Sequence, residues 1–330
     1  MTEYKVKQLA PNHADHISHY KESYLADMFE DEIVIAQPKY DGERMLIHID
    51  NGEVYCTSRR FSKKTDRYME NQDKLPILKE VFKNFKRGYT VIDCECYSKD
   101  WSTIVGILHS LPERAIELQK STTAKFAVFD CLFFDGIDMR EHSYDERLVF
   151  ARTVVNAAQY EPLHLIEAIN EEGQIDKLEN YKILTNYNEA MKFMQQTIDN
   201  GFEGIVVKSL NRTYYEKAAS LKCKKFETVD CVVCGYQEGN GKYTGSVGAL
   251  EIGYYDPSSD KVIKISKVNC STDEERERWN QNREAFLNSV IEVKCQEVTA
   301  KSLRHPVYIR KRDDKDYRTC TKDTIFKSEE

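Results

Sequence analysis

The segment RMLIHIDNGEVYCTSR, residues 44–59, leaves the backbone few choices. Asn-Gly suits a two-residue hairpin turn, because both central residues must adopt positive φ. The alternating runs on either side then pair as antiparallel strands. With Asn51-Gly52 as the loop, Asp50 faces Glu53 and, counting outward, Arg44 faces Arg59. Met45, Ile47, Ile49, Val54 and Cys56 fall together on the expected core face, and the two arginines share the other. Like charges placed directly opposite repel, so an anion is expected between them. A phosphate fits, because guanidinium groups bind it in a fork geometry. The plainer reading is two solvated arginines splayed into water.

The rest of the chain reads in two textures. NHADHISHYKESYLADM places Ile17, Tyr20, Tyr24 and Met28 at helical spacing. DKLPILKEVFKNF is a helix with Leu75, Leu78, Phe82 and Phe85 on one face. TVIDCECY is a strand with Asp93 and Glu95 on the same side, and KFAVFDCLFF is a buried strand. SYDERLVFARTVVNAA opens with a capping box, Ser143 to Glu146. NYNEAMKFMQQTIDNG is a helix capped by Asn186 and stopped by Gly201. EGIVVKS and SLKCKKF are strands. From about Val229 short strands alternate with Gly-rich turns: VDCVVCGY, GALEIGYYD, KVIKISKV, SVIEVKCQEV and VYIRKR, interrupted by one helix, TDEERERWNQNREAFLNS. Five strands and a helix suggest a small barrel of the oligonucleotide-binding type. The expected organisation is an α+β domain over residues 1–228 and a barrel over 229–330. The stretch 98–121 has the apolar spacing of a surface helix.

Charge is uneven. The net charge of −7 argues against a nonspecific wrapper of nucleic acid. RRFSKKTDRY and LRHPVYIRKRDDKDYR are nevertheless basic. Such patches on an acidic chain suit an enzyme that binds DNA and releases it, and equally suit two solvated faces. No apolar run reaches eighteen residues, so no membrane-spanning helix is expected. The N-terminus has no apolar signal segment, and a cytoplasmic protein is expected. Most of the ten cysteines sit in apolar runs and read as small buried hydrophobes. Cys231 and Cys234 form one CxxC with no further ligands at zinc spacing.

Lys39 begins the KYDGER segment. A lysine is a nucleophile only as the free amine, and an ordinary one is neutral roughly once in 2,500 at pH 7. Burial and neighbouring cations favour the free amine. Gly42 would let the backbone pass close to a ligand.

Eight elements follow in order: KYDGER (39–44), SRR (58–60), DCE (93–95), FAVFDCLFFDG (126–136), EGIVVK (203–208), LKCKKF (221–226), GNGKYTGSVGAL (239–250) and RKRDDK (310–315). This ordered set resembles the ATP-dependent DNA ligases of the lysine-linked nucleotidyltransferase superfamily, in their compact viral and bacteriophage form. The resemblance covers nearly all of the chain from Gln37 to Cys320. It implies that Lys39 attacks the α-phosphorus of ATP, that AMP passes to the 5′-phosphate of nicked double-stranded DNA, and that the 3′-hydroxyl then displaces AMP. Alignment and charge neutralisation are the protein's tasks in such displacements, with magnesium or manganese assisting. The resemblance implies that Asp41 holds Lys39, that Arg44 and Arg59 face phosphate, and that Glu95 accepts from the ribose. It has Phe129 stack on adenine, although on the residues alone Phe129 reads as core. Glu203 would hold the metal, and Lys222 and Lys224 would reach the α-phosphate. The family carries a large apolar residue, often tryptophan, before the first of these lysines, and Leu221 stands here. Arg312, Asp314 and Lys315 match the motif that meets the pyrophosphate during lysine adenylylation, when the small domain swings. GNGKYTGSVG reads as a mobile loop placed beside DNA. The protein is expected to be a monomer.

Rival readings are an mRNA-capping guanylyltransferase, an RNA ligase of the same superfamily, and a non-catalytic nucleic-acid-binding module. NAD-dependent ligases carry an N-terminal extension and a Cys-rich zinc module, and neither is visible in this chain.

Overall fold

The computed structural model describes residues 14–16, 22–169, 175–176, 181–224, 226–269, 272–299 and 301–326. Two compact units divide the chain, Met1–Lys224 and Lys225–Glu330. Ile17 and Tyr20 of the expected first helix lie outside the described residues.

The main strands of the first unit are β1 (Val34–Lys39), β2 (Glu43–Asp50), β3 (Glu53–Ser62), β4 (Arg67–Glu70), β5 (Thr90–Tyr97), β6 (Lys125–Phe134), β7 (Gly204–Ser209) and β8 (Ser220–Lys224). Its helices are α1 (Glu22–Asp31), α2 (Ile77–Phe82), α3 (Trp101–Leu108), α4 (Pro112–Gln119), α5 (Tyr144–Ala158) and α6 (Tyr187–Asp199). One sheet runs β4-β3-β2-β5-β6 and ends on Ile137–Asp138, with Leu163–Leu165 parallel to β6. The other runs from Asp15–His16 through β8, β7 and β1 to Lys182–Leu184.

The Asn51-Gly52 turn forms with both residues at positive φ, 49° and 92°. Its register runs from Asp50 opposite Glu53 to Met45 opposite Ser58. The ladder stops one step short of Arg44 and Arg59, and β3 is irregular against β4 between Thr57 and Phe61. The expected core face is buried, with Leu75, Leu78 and Phe82 around α2 packed against it. Much of the other face is covered as well. Leu46 packs with Val91, Leu132, Phe133 and Tyr214. His48 is buried between Tyr89 and Thr57, each 2.8 Å away, and burial pushes its imidazole down to about 4. Around Leu46, His48 and Thr57 the sheet is therefore covered on both sides.

Both predicted helix caps form. Ser143 and Glu146 make the reciprocal capping box of α5, and Asn186 accepts from the Glu189 amide at the start of α6. Residues 98–121 are two helices, because Leu111-Pro112 cannot continue α3. They are more than a surface feature: Ile104, Ile107, Leu108 and Ala115 are buried in the main core.

In the second unit, β9 (Glu227–Glu238), β10 (Val247–Asp256), β11 (Lys261–Asn269), β12 (Val290–Cys295) and β13 (Val307–Lys311) close a barrel in the order β9-β10-β11-β13-β12. Helix α7 (Asp273–Gln281), capped by Thr272, precedes β12, and a short turn of helix follows it at Arg283–Phe286. The expected single helix breaks at Asn282. Trp279 of α7 is buried edge-on against Phe286 and Tyr308. Eight of the nine described cysteines are buried, and all nine are free thiols. No helix among the described residues is long and apolar enough to cross a membrane.

Candidate active site

Three hydrogen-bonded strands bring the lysines together. Gly204 on β7 lies opposite Lys39 on β1 and opposite Lys224 on β8. Directly opposed residues point to the same sheet face, so the two lysines flank a position with no side chain. Only glycine fits there: φ is 148°, and a Cβ would come within 2.2 Å of the Cys223 carbonyl oxygen. The preceding residue, Glu203, donates its amide to the Lys39 carbonyl at 2.9 Å. Its buried carboxylate bridges the cluster, with Lys39 on one oxygen and Lys224 on the other. Burial would raise the Glu203 carboxyl, but Lys39 and Lys224 outweigh burial and hold it below the ordinary value.

Two expectations change here. Neighbouring cations were expected to favour the free amine of Lys39, and Asp41 was expected to hold it. In this structure the Glu203 carboxylate pairs with the Lys39 ammonium. Gly42 is required by the packing of its own loop. A Cβ there would lie 2.3 Å from the Cys96 carbonyl oxygen on β5, so the loop is packed against the sheet. Asp41 is partly buried in that loop.

Arg44 and Arg59 separate. Arg44 lies opposite Glu95 in the β2–β5 ladder. Its guanidinium turns diagonally to Asp93, with Nε 2.8 Å from Oδ1 and Nη2 on Oδ2, and Nη2 also donates to the Tyr214 hydroxyl at 2.9 Å. Burial opposes its charge, but the Asp93 carboxylate overrides that and keeps Arg44 firmly cationic. Asp93 thus engages the arginine from within the sheet. Arg59 is exposed and makes no ion pair among the described residues.

Glu95 is partly buried, and Lys39, Arg44, Glu203 and Asp93 are the charges around it. Burial pushes its carboxyl up to about 7, against the pull of Lys39 and Arg44. Phe129 is the one partly exposed position within a run of buried residues from Phe126 to Phe134. Arg44 stands 5.5 Å and Lys208 4.9 Å from its ring centre. Phe129 also packs against the cluster of Tyr40, Ala127 and Ile166, so it is a partly exposed member of the core. Lys222 lies two residues from Lys224 on β8, so on the same face, and is partly buried without an ion pair among the described residues.

Several members of this region carry no expectation above. Lys208 is buried, donates to the Tyr144 hydroxyl at 3.0 Å, and lies 4.1 Å from that ring's centre. Burial pushes its ammonium down to about 7. Tyr144 Oη is also within 2.6 Å of the Phe129 carbonyl and 3.0 Å of Gln37 Oε1. Asp130 next to Phe129 pairs with Arg147 of α5 through contacts of 2.8 and 3.1 Å. A carboxylate inside KFAVFDCLFF was a usable signal, because a buried charge needs a partner. Helix α3 also serves the site's frame: His109 after it meets Glu43, beside Gly42.

In the second unit Arg312 follows the end of β13. Its Nη1 lies 3.2 and 3.3 Å from the two Asp230 oxygens, and Nε and Nη2 each lie 2.8 Å from Asp314. Lys315 also pairs with Asp230.

Residues 13–226 match the family model described as the ATP dependent DNA ligase domain. A protein named DNA ligase 2 from Korarchaeum cryptofilum is 28% identical over 264 residues, which are 74% of this chain and 41% of that protein. A probable DNA ligase from Persephonella marina is 29% identical over 71% of this chain and 39% of its own length. The chain thus spans about two fifths of the length of these curated relatives. Among solved structures, one titled Pmar-Lig_PreS3 aligns with a TM-score of 0.67 at 16% identity, over 92% of this chain and 68% of that one. Another, from a structure–function analysis of Lig E DNA ligases, aligns with a TM-score of 0.62 at 17% identity, over 92% and 99%. These two likenesses establish a shared fold.

Proposed function

The chain belongs to the ATP-dependent DNA ligase family, and on that premise we propose that it seals nicks in duplex DNA, joining a 3′-hydroxyl to a 5′-phosphate with ATP as AMP donor. In the first step Lys39 Nζ attacks the α-phosphorus. A P–N bond forms, the bond to the β-phosphate oxygen breaks, and pyrophosphate leaves while the amine gives up its proton. In the second step the 5′-phosphate takes AMP from Lys39. In the third the 3′-hydroxyl forms the phosphodiester and AMP departs.

The observation that carries this reading is the Lys39–Glu203–Lys224 cluster, built on three paired strands. Lys224, with Lys222 beside it, would draw the α-phosphate toward Lys39, since an anion arriving there exchanges ammonium–carboxylate contacts for ammonium–phosphate ones. Glu95 would accept from the ribose hydroxyls. Phe129 would offer its exposed face to adenine, and Arg44 would hold the pocket's frame from beneath. Arg59, exposed and without an ion-pair partner among the described residues, would meet the 5′-phosphate of the nick.

A divalent cation fits this donor set in one way. Among the described residues no three His, Cys, Asp or Glu side chains converge, so magnesium or manganese would rest on Glu203 and mainly on the substrate's phosphates, as magnesium commonly does. When bound it would neutralise polyphosphate charge. Residues 1–228 would be the nucleotidyltransferase domain and 229–330 an OB-fold. The strand order of the barrel and the helix before its fourth strand support the second assignment. Arg312, Asp314 and Lys315 would serve the pyrophosphate. A cytoplasmic monomer acting on nicked duplex completes the proposal.

The test is incubation with labelled ATP or GTP and a divalent cation, followed by mapping of the labelled residue and sealing of a nicked duplex. Label from ATP on Lys39 and a sealed strand are expected. Label from GTP alone would instead favour a guanylyltransferase.

A further inference from the structure

We propose that Asp230 is a positioning residue for the ATP step: it holds Arg312 and Lys315 together as one polyphosphate-binding pair. The inference rests on the ligase reading above and adds a residue to it.

The two cations have little else to hold them. Arg312 is the first residue beyond β13, and Lys315 lies in the turn that follows, closed by a 3.2 Å bond from the Lys315 amide to the Arg312 carbonyl. Among the described residues, the Arg312 amide, 2.8 Å from the Val290 carbonyl, ties this turn to the barrel's backbone. Asp230 is different. It sits inside β9, in register with Glu292 of β12, so its backbone is fixed by the ladder. One carboxylate anchored in a ladder thus receives both cations from a turn without ladder bonds of its own.

The two carboxylates on Arg312 are not equivalent. Asp314 is 65% exposed and belongs to the turn itself. Exposed pairs of this kind contribute little, so a polyphosphate can take the place of Asp314 on Nε and Nη2. Those two nitrogens present a parallel fork, the geometry a phosphate accepts. Asp230 keeps Nη1 and the Lys315 ammonium. Arg312 and Lys315 would otherwise repel each other, and their long side chains would sample many rotamers. With Asp230 in place, the pair meets the leaving pyrophosphate already assembled, which is where preorganised charge lowers a barrier.

The alternative sign is equally concrete. If Asp230 merely competes with phosphate, its removal strengthens ATP binding and quickens the reaction. Asp230→Asn in the full chain separates the two. Positioning predicts that formation of lysyl-AMP slows about tenfold to a hundredfold, the range expected for misplaced catalytic charge. The loss should fall on the rate constant at saturating ATP more than on apparent ATP affinity. Sealing of a pre-adenylylated nick, where no pyrophosphate leaves, should stay within about twofold, below the smallest loss that misplaced charge would cause. Asp230→Glu should recover part of the lost rate. In an Arg312→Ala, Lys315→Ala background, Asp230→Asn should add almost nothing. Unchanged or faster adenylylation would overturn the proposal. So would equal losses on both substrates, which mark a structural role. A wild-type chain that forms no lysyl-AMP from ATP would instead reject the ligase reading itself.

Discussion

Glu203 and Asp230 each gather two cations, and they do so by different means. The partners of Glu203 come from two separate strands, β1 and β8, locked on either side of Gly204 by the ladders of β7. Lys39 and Lys224 therefore have backbone positions that their carboxylate does not need to enforce. The partners of Asp230 come from one turn after β13, and the carboxylate is the anchored member. The first arrangement suits a nucleophile, which must meet phosphorus along one line within a few tenths of an ångström. The second suits charge that engages one intermediate and withdraws from the next, because a turn can reorient without breaking a sheet.

The sharpest way to break this comparison is at Lys39, the proposed nucleophile. Lys39→Ala should reduce covalent AMP transfer by about four orders of magnitude or more, the scale of losing a nucleophile outright. The fold should survive, since Lys224 still pairs with Glu203, and binding of nicked DNA should persist. Normal labelling of the variant would move the nucleophile elsewhere and dissolve the distinction between the two clusters.

Separating the units tests the other half. The fragment 1–224 contains its own buried cores, so it should fold. Without Arg312 and Lys315 it should form lysyl-AMP from ATP about a hundredfold more slowly than the whole chain, as expected when positioned charge is removed. A fragment as fast as the whole chain would show that the second cluster has no part in the ATP step.

A third pair of variants compares anchored and free charge within the first unit. Arg44→Ala leaves Asp93 buried without its main partner and should cost about 3–5 kcal/mol, read as a lower denaturation midpoint. Arg59→Ala should change stability by less than about 0.5 kcal/mol while impairing sealing. Equal stability of the two variants would mean that the Arg44–Asp93 pair is not the anchor the geometry describes.

These contrasts follow how far the sequence could be read. The hairpin register, the buried face of α2 and the caps at Ser143 and Asn186 were legible because each is settled within a few residues. Arg44 was legible as a site residue, but its partner was not, because Asp93 becomes its neighbour only when β5 joins β2. For the same reason Lys39 could be picked out while its pairing with Glu203, 164 residues away, could not. Gly42 shows the limit from the other side: glycine signals close approach, and only the sheet reveals that what approaches is the Cys96 carbonyl. Lys208 was passed over inside EGIVVK because its burial between Phe129 and Tyr144 depends on three distant segments.

The last effect, at Glu95, depends on pH, and it has a sign that can be worked out. Burial, opposed by Lys39 and Arg44, lifts its carboxyl from 4.5 to about 7. Between those pH values the unfolded chain has released the proton while the folded chain retains it. Folding stability therefore declines as pH rises through that window. Below pH 4.5 both states hold the proton and the cost is absent; above pH 7 both have lost it and the full cost remains. At about 1.36 kcal/mol per pKa unit that cost is at most about 3 kcal/mol. Glu95→Gln keeps the shape and removes the titration. Its melting temperature should exceed that of the unaltered protein by a few degrees at pH 8 and match it near pH 4.5. Adenylylation should fall in the same variant, because a ribose acceptor has been weakened, so stability and activity would move in opposite directions. A melting difference that is the same at both pH values would show that Glu95 ionises normally, and the crowding of charge around Lys39 would then be weaker than the geometry implies.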